Sequence, residues 1–151
     1  MPVCDRRVVE ADLLNDWRTS LSRSGFEAEV PAVWLVEGVL AYFSEADVQH
    51  LLTQLRTMAA PGSHLGVDFV NADMLISPYT RNWVKALEAI GAAWHFGVYD
   101  PAAFLAKHGW IATVLEPAEL EGGYGRWPYP VVPRAVPGIP RSFLATAHRQ
   151  Q

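Results

Sequence analysis

The fold is decided by residues 31–43, which read Pro31-Ala32-Val33-Trp34-Leu35-Val36-Glu37-Gly38-Val39-Leu40-Ala41-Tyr42-Phe43. Residues 33–36 are a continuous apolar run, which is typical of a strand that is covered on both faces. Glu37 and Gly38 interrupt this run and predict the end of the strand. The next residues, Ser44-Glu45-Ala46-Asp47, have the form of a capping box and predict the start of a helix.

The apolar residues that follow the capping box support this helix. They recur at the spacing of one helical face, and Pro61-Gly62 ends the pattern. The residues of this stripe are Val48, Leu51, Leu52, Leu55, Met58 and Ala59. We therefore expect a strand followed by a surface helix, which is the alternation that builds parallel sheets.

Further strands and helices are predicted on both sides of this pair. Apolar runs predict strands over residues 7–14, 63–70, 110–115 and 141–147. Apolar spacing and capping residues predict helices over residues 16–23, 81–90 and 100–109. Residues 117–140 contain six of the eleven prolines, and we expect them to connect the last two strands without regular structure.

The order of these elements predicts an α/β fold. The alternation of strands and helices favours a mostly parallel sheet with helices on its faces. The last two strands are joined without a helix, so we expect them to form an antiparallel pair at one edge. At 151 residues and 16.7 kDa, the chain has the size of one domain.

The composition argues against several classes of function. Half of the residues are apolar and the net charge is −4, so non-specific binding to nucleic acid is not expected. No apolar run has the length of a membrane helix, and the first residues lack the apolar core of a secretory signal. The single cysteine, Cys4, excludes an internal disulfide. We therefore expect a cytoplasmic protein that binds neither nucleic acid nor membrane.

Motifs for phosphate binding and for nucleophilic or metal-dependent catalysis are missing from the sequence. There is no Walker A sequence, no G-x-G-x-x-G, no G-x-S-x-G and no H-E-x-x-H. The five histidines are far apart in the sequence, so no metal site is expected. The remaining candidates are carboxylates at predicted strand ends: Asp12, Glu37 and Asp68. Ligands of open α/β sheets bind beyond the carboxyl ends of the strands.

Glu37 is the strongest of these candidates. It lies between the apolar residues 33–36 and the apolar pair Val39-Leu40, where an unpaired carboxylate is costly to bury. Two interpretations stand open from these residues alone. Glu37 binds a ligand, or it is bonded to local backbone amides or to an arginine.

Five segments of the chain resemble one family of enzymes. Residues 34–43 are similar to the W-x-x-E-G-x-L-x-Y-L segment of the leucine carboxyl methyltransferase-like enzymes, which use S-adenosylmethionine (SAM). The actinobacterial branch of the family is the most similar. The other matching segments are VEADL at 9–13 with Asp16-Trp17, AAPGS at 59–63, DPAAFLAKHGW at 100–110 and FLATA at 143–147.

The resemblance implies a Rossmann-like methyltransferase with S-adenosyl-L-methionine as its cofactor. By the same resemblance, Asp12 and Leu13 would contact the adenine, and Glu37 would face the aminoacyl end of the cofactor. Tyr42 would lie nearer the acceptor pocket, and Phe43 stands where the family prefers leucine. The interpretation that competes with the adenine role of Asp12 is a cap for the helix that begins at residue 16.

The resemblance also implies that residues 1–151 are the C-terminal portion of a longer methyltransferase domain. The family sheet has the strand order 3-2-1-4-5-7-6, and its N-terminal half carries a cofactor-binding arginine, a glycine-rich turn and an acid that have no counterpart here. The chain would begin at strand 3 and lack the first two strands. Its strand at residues 7–14 would then have no neighbour, and residues 33–36 would form an open edge.

Two functions follow as expectations. The first is methyl transfer from SAM to an oxygen of a small-molecule or carboxylate-bearing acceptor, with the chain incomplete for this activity. A carboxylate acceptor is ionised at neutral pH and needs no general base, whereas a hydroxyl acceptor would need one, and the sequence singles out no catalytic residue. The alternative is an inactive remnant or an interaction module that self-associates through its open sheet edge.

Overall fold

The computed structural model describes residues 3–119 and 123–149 of the chain. Its helices are α1 (Trp17–Arg23), α2 (Glu45–Met58), α3 (Asp73–Ile76), α4 (Arg81–Ala89) and α5 (Pro101–Lys107), and a short 3₁₀ helix covers Leu40–Tyr42. Its strands are β1 (Val33–Val36), β2 (His64–Val70), β3 (Trp110–Leu115) and β4 (Ser142–Arg149). None of the helices in the described part is long and apolar enough to cross a membrane.

The strands form one mixed sheet in the order β1-β2-β4-β3. β1 and β2 are parallel, whereas β4 is antiparallel to both of its neighbours. β1, β2 and β3 therefore run in one direction, and β3 and β4 form the expected antiparallel pair at one edge. The α/β class is confirmed. The order also corresponds to strands 4, 5, 7 and 6 of the order that the resemblance implies, with β1 as the expected open edge.

The strand expected over residues 7–14 is not formed, so this prediction is wrong. A strand needs a neighbour for its backbone groups, and no described residues pair with the outer edge of β1. The segment instead runs beside α1, where Arg7 Nη1 donates to the Ser24 carbonyl over 2.9 Å and Leu13 packs against the core. Strand propensity alone does not order these residues as a strand.

Three helices begin next to a capping side chain, and the sequence predicts the caps of α2 and α5. At α1 the cap is Asp16, whose side chain accepts from the Thr19 N–H. At α2, Ser44 and Asp47 form a reciprocal capping box, in which each side chain accepts from the backbone of the other residue. α5 has Pro101 at its start, as predicted. These bonds satisfy amide groups that have no acceptor within the helix.

The core lies between one face of the sheet and the helices α1, α2 and α5. The apolar stripe predicted for α2 is buried there, with Val48 and Leu52 fully covered, and α5 contributes Leu105. Trp17 of α1 reaches across to α2, where its Nε1 donates to the side-chain oxygen of Gln54 over 2.6 Å. This hydrogen bond satisfies two polar groups that would otherwise be buried without partners.

The opposite face of the sheet is open to solvent along β1. Val33 is 79% exposed and Leu35 is 72% exposed, whereas Trp34 and Val36 pack against the core. The expectation that residues 33–36 are covered on both faces is therefore wrong. Successive side chains of a strand point to opposite faces, and the helices that form the core all cover the face of Trp34 and Val36.

Residues 117–140 connect β3 to β4, and residues 120–122 lie outside the described part. The described residues 117–119 and 123–140 contain no strand. Arg141 holds this connection at the end of the sheet, because its guanidinium donates to the carbonyls of Val132 at 3.0 Å and Pro133 at 2.6 Å. One buried side chain thereby satisfies backbone carbonyls that lie outside any regular structure.

Replacing the cap of α2 tests the contribution of the capping box. We expect Ser44→Ala to lower the free energy of unfolding by about 1 kcal/mol, because the Asp47 N–H loses its acceptor. Ser22→Ala, at an exposed position inside α1, is the matched control and should change stability by less than about 0.5 kcal/mol. Urea denaturation followed by circular dichroism gives both values, and equal effects would contradict the assignment.

Candidate functional site

The carboxyl ends of β1 and β2 lie side by side, because the two strands are parallel. Glu37 follows β1 directly, and Asp68 lies near the end of β2. The Asp68 carboxylate accepts from the Gly38 N–H over 2.6 Å, which ties the turn after β1 to β2. Gly38 has a φ of +67°, a conformation that residues with a side chain rarely adopt, so glycine allows the turn.

An apolar groove of about 330 Å³ opens beside these strand ends, between the segment that precedes α1, β1 and α2. Glu37 is the one charged residue among those that line it. Two of the predicted site residues, Leu13 and Glu37, are brought together in this groove. Its lining includes Leu13, Trp17, Trp34, Leu35, Glu37 and Val39.

Asp12 is exposed and does not line the groove, although it precedes Leu13 in the chain. Its side chain closes a local turn, in which Oδ1 accepts from the Leu14 N–H at 2.9 Å and Oδ2 accepts from the Asn15 side chain at 2.7 Å. The cap of α1 is Asp16 and not Asp12. The hydrogen bonds that Asp16 accepts from Thr19 hold the pKa of the Asp16 carboxyl below its ordinary value.

Glu37 is exposed, so the expectation of a carboxylate buried between two apolar segments is wrong. The physical reason is the position of β1 at the edge of the sheet, where one strand face and one strand edge are open. Because the Glu37 carboxylate is exposed to water, it does not need an ion-pair or hydrogen-bond partner within the protein. Its place in the apolar groove is what distinguishes it from other surface carboxylates.

Tyr42 does not share the groove with the other predicted site residues. It lies in a smaller cavity of about 70 Å³, which Gly38 and Asp68 also line. Its ring packs edge-on against Trp94, with 6.1 Å between the ring centroids, and Trp94 packs edge-on against Trp83 of α4 at 4.5 Å. α4 forms where it is predicted, and although none of its residues is buried, the contact of Trp83 with Trp94 attaches it to the segment that follows.

Sequence reasoning missed a larger cavity of about 530 Å³. It lies between the ends of β2 and β3, the start of β4 and the described part of the connection 117–140. The residues that line it include Asn71, Tyr99, Glu116, Arg134, Val136 and Arg141. The cavity is therefore at the same end of the sheet as Glu37 and Asp68, beyond the next strands.

The wall of this larger cavity contains an ion-pair network. Glu116 and Arg141 have side chains only 7% and 8% exposed, and Arg141 Nη1 lies 2.8 Å from Glu116 Oε2. Arg134 Nε lies 3.2 Å from the other Glu116 oxygen, and its Nη2 lies 2.8 Å from Glu119. The sequence signal was available, since Glu116 follows one strand and Arg141 precedes the strand that pairs with it.

Tyr99 and Asp73 line the same cavity, and the Tyr99 hydroxyl donates to Asp73 Oδ1 at 3.3 Å. Partial loss of hydration beside the cavity wall, and then the negative charge of Asp73, raise the pKa of the Tyr99 hydroxyl above its ordinary value. At neutral pH this hydroxyl therefore keeps its proton and acts as a hydrogen-bond donor. It is not arranged to act as a base.

The chain matches known proteins in both sequence and fold. The sequence model of the family "Leucine carboxyl methyltransferase" matches residues 1–56. A "putative S-adenosyl-L-methionine-dependent methyltransferase" of Mycobacterium avium (strain 104) is 32% identical over 162 residues, which cover 99% of this chain and 52% of the relative. The chain is thus similar in sequence to leucine carboxyl methyltransferases and to S-adenosyl-L-methionine-dependent methyltransferases of actinobacteria. A relative with a similar name from Rhodococcus jostii (strain RHA1) is 32% identical and matches 96% of this chain and 49% of its own length.

The chain spans about half the length of these curated relatives. Solved structures agree on the fold. A DUF574 family protein from Streptomyces avermitilis superposes with a TM-score of 0.62 at 16% identity, over 93% of this chain and 54% of that chain. The structure described as a putative methyltransferase from Thermobifida fusca superposes with a TM-score of 0.61 at 20% identity, over 93% and 53% of the two chains.

Removing one partner of the buried ion pair tests its importance. We expect Arg141→Met to lower the free energy of unfolding by about 3 kcal/mol, because Glu116 stays buried with one of its two cations lost. The exposed Arg126→Met is the matched control and should change stability by less than about 0.5 kcal/mol. In urea denaturation, the double variant Glu116→Leu/Arg141→Met should recover a large part of the loss.

Glu119 makes the contribution of the ion-pair network to stability depend on pH. The hydrogen bond from the Glu116 N–H, followed by the Arg134 guanidinium, holds the pKa of Glu119 below its ordinary value. A carboxyl with a lower pKa in the folded state stabilises the fold above its unfolded pKa of about 4.3, and this contribution is lost as the pH falls through the folded pKa. We therefore expect the stability difference between the unchanged chain and Glu119→Gln to shrink below about pH 4. Denaturation over a pH series measures it, with the exposed Glu27→Gln as control for charge, and a difference independent of pH would contradict the assignment.

Proposed function

We propose that this chain forms part of a SAM-dependent O-methyltransferase and contributes the cofactor contacts at the end of β1. One observation carries the proposal: Leu13 and Glu37, which the family resemblance assigns to opposite ends of the cofactor, line the same groove. The two residues come from different segments of the chain, and nothing in their local sequence requires them to meet.

The apolar part of the groove suits a planar base. Leu13 and the indole of Trp34 provide apolar surface for the adenine, and the adjacent Asp12 provides carboxylate oxygens for its exocyclic amine. Both Asp12 oxygens already accept one hydrogen bond, but a carboxylate oxygen has a second lone pair available. We propose that the Asp12 turn holds the carboxylate in place for this contact.

The charged end of the groove suits the aminoacyl part of SAM. Glu37 is exposed and carries the charge among the groove residues, so its carboxylate complements an ammonium group. Tyr42 lies next to this end across the turn at Gly38, and Trp94 packs on it. We propose that Tyr42 and Trp94 lie on the acceptor side of the site.

In the proposed reaction SAM supplies a methyl group bound to a sulfonium. The protein has to hold the acceptor oxygen in line with that bond, and positioning of this kind accounts for a large part of the rate. One bond forms between the acceptor oxygen and the methyl carbon while the bond from carbon to sulfur breaks, and the sulfonium becomes a neutral thioether. A carboxylate acceptor has no proton to lose at neutral pH, which fits a site without a strong base.

We propose that this chain supplies one side of the cofactor site and that the segment of its relatives beyond the matched half supplies the other. The groove is open along β1, and the chain spans 52% of the Mycobacterium avium relative. We therefore expect weak binding of SAM by this chain. A cytoplasmic location would agree with the single cysteine and remains part of the proposal.

Nuclear magnetic resonance detects binding of this strength and locates it. Adding SAM to the ¹⁵N-labelled chain should shift the amide signals of Leu13 and Glu37, which both line the groove. Glu37→Gln and Asp12→Asn should each weaken the interaction by about fivefold or more, since each loses a charged partner. Glu10→Gln, an exposed neighbour outside the groove, is the matched control. Shifts confined to the larger cavity around Arg141 would overturn the assignment.

A second candidate is an interaction module that self-associates through the edge of β1. The observation that favours it is the position of β1 at the end of the sheet, with Val33 and Leu35 exposed. Such a protein would form dimers through strand pairing without binding SAM. A stable monomer in light scattering would argue against this candidate.

A further inference from the structure

Two of the five histidines, His64 and His148, lie opposite each other on the sheet, although they are far apart in the sequence. His64 begins β2, and His148 lies near the end of β4, which is antiparallel to β2. Both side chains are exposed, whereas Leu65 and Ala147, the next pair of the ladder, are buried in the core. The two imidazoles therefore share the solvent-facing side of the sheet. Their distance in the sequence, which predicts no metal site, does not show this pairing.

The backbone hydrogen bonds around the two histidines show how closely their side chains approach. The Arg149 N–H donates to the Ser63 carbonyl over 3.2 Å, and the His64 N–H donates to the Ala32 carbonyl in β1 over 2.9 Å. Hydrogen-bonded and non-hydrogen-bonded pairs alternate along an antiparallel ladder, so His64 and His148 form a non-hydrogen-bonded pair. The side chains of such a pair are the closer ones, with Cβ atoms about 4.5–5.5 Å apart.

Both imidazoles of this pair are available to a ligand. In the part of the chain that the structure describes, neither ring makes a hydrogen bond, an ion pair or a ring contact. His50 and His108, in contrast, use ring nitrogens in contacts with neighbouring side chains. The next residues across the same row of the sheet are Val33 of β1 and Ile111 of β3, which bring no positive charge. Nothing in this row therefore opposes a bound cation.

We propose that His64 and His148 together bind one divalent ion of the kind that prefers imidazole nitrogen, such as Ni²⁺, Cu²⁺ or Zn²⁺. Zn²⁺, for example, lies about 2.0–2.1 Å from an imidazole nitrogen, so the two nitrogens have to come within about 3.5 Å of each other. Side chains on neighbouring Cβ atoms reach this distance by rotation. The described residues contain no group of three or more metal-binding side chains, so water completes the coordination. The bound ion joins β2 to β4, the two central strands of the sheet.

Isothermal titration calorimetry with nickel chloride measures the binding. The untagged chain carries Cys4→Ser in every sample, so that the exposed thiol does not bind the metal. We expect one Ni²⁺ per chain and binding of Mg²⁺ that is weaker by about tenfold or more, because Mg²⁺ prefers oxygen ligands. The ion bridges two strands that meet only in the folded state, so Ni²⁺ should also raise the midpoint of thermal unfolding, and a chelator should reverse the rise.

Single substitutions distinguish one shared ion from two separate imidazoles. His64→Gln and His148→Gln should each weaken the binding of Ni²⁺ by about tenfold or more, because the second nitrogen is no longer held beside the first. His95→Gln, which removes another exposed histidine, is the matched control and should leave the binding unchanged. The rings of His64 and His148 make no contacts that the fold needs, so each variant without metal should unfold at the temperature of the unchanged chain.

Three results overturn the proposal: no binding of Ni²⁺, an unfolding midpoint that Ni²⁺ leaves unchanged, or a loss of only half of the bound ions in each single variant. The last result would show two independent imidazoles in place of a shared ion. None of these measurements involves SAM or the cofactor groove. The metal proposal and the methyltransferase proposal can therefore fail separately.

Discussion

The parallel pairing of β1 with β2 is the interaction on which the rest of the structure depends. It brings Glu37 and Asp68 to one end of the sheet, and the bond from Gly38 to Asp68 then fixes the turn after β1. That turn leads through the 3₁₀ helix into α2, so the same pairing also positions the main core helix. β1 has no partner on its other side among the described residues, so the segment before α1 packs without forming a strand.

Elements that are specified by nearby residues were predictable from the sequence. α2 is an example, because its capping box and its apolar stripe are both local signals. β1 has the predicted bounds for the same reason, but its predicted burial is wrong. Whether a strand is covered depends on what packs against it, and an apolar run looks the same in a covered strand and in an uncovered one. Residues 7–14 failed as a strand for the related reason that pairing requires a neighbour.

The candidate site was also predictable only in part. Leu13 and Glu37 meet in one groove. Glu37 was a candidate from its place at a strand end, whereas Leu13 was chosen from family resemblance alone. The buried pair Glu116 and Arg141 was missed, although both residues stand at strand ends. The predicted antiparallel pairing already brings the end of β3 near the start of β4, but only the register shows that Glu116 and Arg141 meet. Sequence spacing alone does not supply this register, because the connection between the strands is long and rich in proline.

The larger cavity and the groove differ in how their charges are balanced. In the larger one, Glu116 is paired with Arg141 and Arg134, and the Arg141 guanidinium also donates to backbone carbonyls. A cationic ligand there would have to compete with these internal partners, and displacing one would leave a buried charge unpaired. In the groove, Glu37 is exposed beside apolar surface. A ligand that joins a planar apolar part to a positive charge is therefore better stabilised in the groove than in the larger cavity.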